Sequence, residues 1–236
     1  MKIDDFKNAV ISLGINIDED KLEKLNIYYE ELIAYNEHTN VTGITLKEDV
    51  YLKHFYDSLM IAKAIDLNNI STMIDIGSGA GFPGVVLKIF FPNIELTLLD
   101  SNNKKTKFLE IICNKLDLKN VQIINDRAEN YAINHLNEYD LCVSRAVAFV
   151  DIIASISIPF IKKDGKVVLM KGSFENELNV LQNHLNELNI KLFNIIEYNL
   201  PGLADKRNLI VIEKNSITSK IMSYSQIIKR NKKWNV

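Results

Sequence analysis

From residue 71 onward, short apolar runs alternate with stretches of helical periodicity, and that alternation leaves few folds open to the chain. Strands are predicted at Thr72–Ile76, Ile94–Leu99, Val121–Ile124, Leu141–Ser144 and Lys166–Met170. Helices are predicted between them at Pro83–Phe90, Asn103–Leu116, Asn130–His135, Phe149–Ile158 and Glu175–Leu188, the last with Leu178, Leu181, Leu185 and Leu188 in one stripe. Strand and helix in strict succession imply a parallel sheet with right-handed crossovers and helices on both faces. The end of the chain departs from this rule. Lys191–Tyr198 and Asn208–Glu213 both read as strands, and the nine residues Asn199–Arg207 between them are too few for a helical crossover. Those two strands are expected to pair antiparallel.

The first 66 residues carry helical periodicity only. Phe6, Val10 and Leu13 share a face, and Gly14 is a suitable stop. Asp18–His38 follows, with Leu22, Leu25, Tyr29, Leu32 and Ile33 inward. Asn40–Ile44 is a turn-rich connector, and Thr45 with Glu48 forms a capping-box pattern ahead of Tyr51, Phe55, Leu59 and Ala62. The expected organisation is a helical segment 1–66 packed on an α/β domain 71–214, followed by a basic tail 215–236.

Several classes of protein are excluded. The formal net charge is −2, so bulk attraction does not hold this chain to a polyanion. Local patches remain available: Lys104, Lys105 and Lys107, and the tail run Lys229-Arg230-Asn231-Lys232-Lys233, where Trp234 offers a stacking surface. The longest apolar stretch is interrupted by Asp151, so no membrane partner is expected. The acidic N-terminus lacks a secretory pattern, and Cys113 and Cys142 show no metal spacing; reduced, buried thiols in the cytoplasm are expected.

The densest chemical signal is DIGSGAGFPG at residues 75–84, which follows the first strand and opens a helix. Gly77, Gly79 and Gly81 allow a tight turn and leave space for a ligand. Gly79-Ala80-Gly81-Phe82-Pro83-Gly84 also satisfies the dinucleotide pattern. Asp75, however, places a carboxylate beside the turn, where it opposes a diphosphate and favours a cofactor carrying ammonium and sulfonium groups. S-adenosylmethionine has both. The alternative is that Asp75 only ties down the loop by bonding its amides. Asp100 ends the second strand and is placed to accept ribose hydroxyls, or else to cap the following helix. Asp126-Arg127-Ala128-Glu129 and Ser144-Arg145-Ala146 follow the third and fourth strands, so four strand ends converge on one cleft.

Taken with HFYDSL (54–59), LLDSNNKKTKFL (98–109), RAE (127–129), SRAVA (144–148) and LMKG (169–172), these residues resemble the RsmG family, also called glucose-inhibited division protein B, over residues 36–214. The resemblance implies a class I S-adenosylmethionine-dependent methyltransferase fold, a Rossmann-like doubly wound sheet, mostly parallel with an antiparallel last strand. It also implies transfer of a methyl group to N7 of one guanine in the 530 loop of 16S rRNA. The partner would be 16S rRNA or the small ribosomal subunit, and a monomer is expected. Carried onto this chain, the family's cofactor contacts fall on Gly77, Phe82, Ala128, Glu129 and Arg145; Phe82 could instead be a core aromatic.

Guanine N7 has a lone pair and no proton, so no general base is expected, and no metal. His54 and Asp57 stand three residues apart on one helical face, but packing roles are favoured over a catalytic dyad. Arg145 and Lys171 are positioning candidates, and Lys206 and Arg207 are placed to meet phosphate. The rivals are an NAD-dependent dehydrogenase, a methyltransferase for a small molecule or protein, and a non-catalytic RNA-binding module.

Overall fold

A computed structural model describes the chain except residues 173–176, 178–179, 183–189, 215, 219–223 and 233–236. Seven strands form one sheet: β1 (Thr72–Ile76), β2 (Glu95–Leu99), β3 (Val121–Ile124), β4 (Tyr139–Arg145), β5 (Ile161–Lys171), β6 (Ile190–Asn199) and β7 (Lys206–Lys214), in the order β3-β2-β1-β4-β5-β7-β6. The pairs from β3 across to β5 are parallel. β7 runs antiparallel to both β5 and β6, so the terminal hairpin closes the sheet as its short connection requires. The fold is that of a class I methyltransferase.

β1 and β4 are apolar on both sides because helices cover both faces of the sheet. Successive residues alternate between two cores. Met73 joins Leu98, Phe108 and Val211 in one, and Ile74 joins Leu99, Ile153, Phe160 and Ile210 in the other. The N-terminal helices supply much of the first core through Phe6, Leu25, Tyr28, Leu32, Tyr51 and Phe55. They thus share a core with the sheet. The helix Tyr224–Lys232 lies against Val150–Ser157 and buries Ile227. Lys233 and Trp234 of the basic run, and Leu178, Leu185 and Leu188 of the expected stripe, lie outside the described residues.

Two local expectations are corrected. The helix Glu19–Thr39 is capped as its sequence suggests, with Asp18 accepting from the Lys21 N–H at 2.9 Å. Its fully buried tyrosine is Tyr28, however, while Tyr29 is half-buried and donates to the Thr45 carbonyl. The Thr45–Glu48 capping box does not form. The next helix begins at Lys47 after Leu46, with no side-chain cap. It continues through a π-helical stretch, Tyr51–Tyr56, into Asp57–Leu59. His54 in the π stretch and Asp57 and Ser58 just after it are all buried, and the Ser58 hydroxyl donates to the His54 carbonyl at 2.6 Å.

Candidate active site

The chain order reverses between β1 and β4, and a cavity of about 490 Å³ opens there, beyond the carboxyl ends of the strands. Its size is that of a small-molecule site. The glycine turn forms its near wall. Gly77 has φ +70° and a Cβ there would stand 2.5 Å from Val147, so only glycine lets the loop after β4 close over the turn. Asp100, at the end of β2, ties the turn to the next helix: Oδ2 accepts from the Gly79 N–H at 2.9 Å and Oδ1 from the Asn102 N–H at 2.8 Å. Asn102, not Asp100, caps the helix Asn103–Lys115. Asp126, Ala128 and Glu129 after β3 line the same cavity, and Ile152, Ile153 and Ile156 give it an apolar side.

Of the sequence-selected cofactor residues, Gly77, Gly79, Phe82, Asp100, Ala128, Glu129 and Arg145 line the cavity, whereas Asp75 and Gly81 do not. Asp75 is fully buried beneath the turn, where Oδ2 accepts from the Gly84 N–H at 2.8 Å. The carboxylate therefore anchors the loop and the helix that follows it. Burial pushes this carboxyl up to about 7, although the Gly84 N–H pulls it the other way. Gly81, with φ +96°, is needed for packing: a Cβ would lie 2.4 Å from the Tyr28 hydroxyl and 2.6 Å from Val85. Tyr28 donates that hydroxyl to the Ala80 carbonyl, so the N-terminal segment holds the turn from outside.

The far end of the cavity is built by residues distant in sequence. Phe82 stacks with Tyr28, at 5.2 Å between centroids, and with His54, at 4.3 Å, and the Arg145 guanidinium lies 5.2 Å from the Phe82 ring centroid. Arg145 Nη1 donates to Asp57 Oδ2 and to the Lys53 carbonyl, each at 3.1 Å, and Nη2 lies 3.2 Å from His54 Nδ1. Asp57, with no exposed surface, also accepts from Arg207 Nη1 at 3.0 Å and from the Tyr198 hydroxyl at 2.8 Å. Two guanidinium groups on one carboxylate leave positive charge in excess beside the cavity. His54 and Asp57 are thus not a dyad; each holds Arg145. Burial, with the Arg145 charge next, holds the His54 imidazole down to about 3, so it is neutral at physiological pH.

Lys171 is spent internally. Its ammonium donates to the Ala148 carbonyl at 2.8 Å and pairs with Glu177 at 3.0 Å, which secures the loop after β4. Lys206 pairs with Glu197. Lys105 lines the cavity while Lys104 and Lys107 face solvent. Sequence reasoning missed Val41 and Thr42, which line the cavity from the connector before the π-turn. No local signal marked them, because their place depends on how the N-terminal segment docks. Among the described residues there is no cluster of three metal-ligating side chains, and no helix is long and apolar enough to cross a membrane.

Solved structures of low sequence identity share this architecture. The [4+2]-cyclase SpnF superimposes with a TM-score of 0.56 over 68% of this chain and 81% of its own, at 10% identity. The precorrin-6y C5,15-methyltransferase of Geobacter metallireducens GS-15 does so at 0.50, over 66% and 87%, at 15% identity. A cyclase and a methyltransferase on one scaffold leave the choice of chemistry to the site. Sequence relatives are more specific. The chain is 39% identical over 223 residues to the ribosomal RNA small subunit methyltransferase G of Bacillus subtilis, covering 93% of each. It is 42% identical over 225 residues to that of Mesoplasma florum, covering 94% of each. The family model described as GidB, rRNA small subunit methyltransferase G, matches residues 21–210. With nearly the whole length matched, including the glycine turn, the π-turn and Arg145, the chain belongs to the rRNA small subunit methyltransferase G family.

Proposed function

We propose that this chain, acting in the cytoplasm, transfers a methyl group from S-adenosylmethionine to N7 of a guanine in the 530 loop of 16S rRNA. The observation that carries this reading is that a single cavity joins the glycine turn and Asp100 at one end to Phe82, His54 and Arg145 at the other. That is the layout needed to bring a bound donor and a base together. The residues fit the cofactor. Gly79 and its turn line the cavity with bare backbone, Asp100 presents a carboxylate suited to ribose hydroxyls, and Ile152, Ile153 and Ile156 offer an apolar side to a flat adenine. Ala128 and Glu129 would complete the adenosine end. The bound cofactor supplies an electrophilic methyl group on a sulfonium.

The protein's part is positioning. N7 arrives with its lone pair free, so no side chain has to remove a proton. Alignment in a closed site is worth about 7–11 kcal/mol in favourable cases. Arg145, fixed by Asp57, Lys53 and His54, orients groups at the acceptor end. The excess charge of Arg145 and Arg207, with exposed Lys104, Lys107 and Lys229, would receive the phosphates around an unstacked base. Incubation with methyl-labelled cofactor and small-subunit RNA or particles, followed by mapping of the labelled nucleotide, tests the reading. Label at guanine N7 in the 530 loop is the expected result. Label on another nucleotide or on protein, or none, would refute it.

A further inference from the structure

Thr42, at the cavity wall, takes part in a hydrogen-bond chain whose direction is set from its far end. Arg145 carries five N–H donors and no acceptor, so it can only donate. Its Nη2 faces His54 Nδ1 at 3.2 Å, and the Lys53 carbonyl, also 3.2 Å from Nδ1, already accepts from Nη1 of the same guanidinium. A proton on Nδ1 would point one N–H at another. A bare Nδ1 instead gives the guanidinium fork two acceptors, so the imidazole carries its proton on Nε2. That N–H lies 3.0 Å from Thr42 Oγ1 and donates to it. The second lone pair of Oγ1 accepts from the Ile44 N–H at 3.1 Å. The Thr42 backbone is itself fixed, its N–H donating to Asn36 Oδ1 at 2.9 Å.

With both lone pairs occupied, the Thr42 hydroxyl can act only as a donor, and among the described residues no protein acceptor takes its proton. We infer that Thr42 donates this hydrogen bond to O6 of the target base and so selects guanine over adenine. The Hoogsteen edge of guanine presents N7 and O6, both acceptors, whereas adenine has an amino donor beside its N7. A hydroxyl that cannot accept would meet that amino group donor to donor. The chain of bonds thus turns the fixed charge of Arg145 into a fixed polarity at the acceptor end of the cavity. The assignment rests on the guanine-N7 reading above.

The test compares the native protein, Thr42→Val and Thr42→Ser on small-subunit RNA with guanine or 2-aminopurine at the target position; the latter keeps N7 and lacks O6. T42V should lower kcat/KM on guanine roughly 10- to 100-fold, T42S should retain activity, and the cofactor Kd should be unchanged in both. The native protein should lose a similar factor on 2-aminopurine, a deletion made in the substrate that needs no variant to fold, and T42V should show no further loss there. Full native activity on 2-aminopurine, equal loss by T42V on both substrates, or weaker cofactor binding as the only effect would overturn the role of Thr42. A native protein that leaves guanine N7 unmethylated would instead overturn the reaction itself, and this assignment with it.

Discussion

Arg145 shows how one permanent charge organises its surroundings. Its fork reaches Asp57, Lys53 and His54 at once, a geometry that a lysine ammonium cannot reproduce. Arg145→Lys should therefore cut methyl transfer by at least roughly tenfold while the protein stays folded. Steady-state kinetics alongside circular dichroism would check this, and unchanged kinetics would show that charge alone suffices. Asp75 gives a prediction in pH. Its carboxyl holds a proton more tightly in the folded chain, up to about 7 against an ordinary aspartate value of 3.8, because burial disfavours the charged form. The native state then binds more protons than the unfolded one across that window, so this group's contribution to stability is greatest below 3.8 and declines as pH rises towards 7. Asp75→Asn cannot ionise and keeps an acceptor for Gly84. His54, held down to about 3, contributes the opposite slope over much of this range and does so in both proteins. The urea midpoint of the native protein should therefore fall relative to that of the variant as pH rises from about 4 to about 7, and a constant difference would deny the shift.

At the level of elements, the docking of the helix Glu19–Thr39 on the glycine turn is the contact for which the sequence reading chose the wrong tyrosine, Tyr29 in place of Tyr28. Residues 28 and 29 are both tyrosine, and either one continues an apolar stripe with Leu22, Leu25 and Leu32. Only the partner across the interface, the Ala80 carbonyl and the Phe82 ring, selects Tyr28. The capping box failed because the helix starts later, at Lys47 with Leu46 in the capping position, while the Thr45 carbonyl accepts from the Tyr29 hydroxyl. Strands β1 and β3, by contrast, match their predicted limits, because their apolar runs and flanking turn residues are local signals. The Tyr28–Gly81 contact makes a direct prediction. Tyr28→Phe removes one hydrogen bond and should cost about 1 kcal/mol. Gly81→Ala forces a Cβ against the hydroxyl and Val85 at a left-handed backbone position, and should cost ~3 kcal/mol or more. The double variant should be less destabilised than the sum, since removing the hydroxyl relieves one of the two clashes. Strict additivity in denaturant melts would deny that the two residues touch.

For the molecule as a whole, the parallel sheet and the antiparallel last pair were legible, because strand–helix alternation decides the first and the short final connection the second. The strand order, with β7 inserted between β5 and β6, was not. The cavity was legible only in part. Its strand-end residues, Asp100, Ala128, Glu129 and Arg145, follow from the rule that ligands bind at carboxyl ends. Thr42 and His54 arrive from a segment whose packing no spacing rule predicts. Nor could the sequence show that Asp75 stands under the turn while Asp100 stands on the cavity wall. The central claim is that this wall receives a methyl donor, with Asp100 at its adenosine end. The most direct measurement is the thermal unfolding of the native protein and of Asp100→Ala with S-adenosylhomocysteine or NADH. At a ligand concentration of about 100 Kd, binding contributes about 2.7 kcal/mol, which raises the native Tm by several degrees, roughly 2–4 °C per kcal/mol for a chain of this size. The account predicts that shift with S-adenosylhomocysteine, its loss in D100A, and none with NADH. Stabilisation by NADH, with S-adenosylhomocysteine inert, would contradict it.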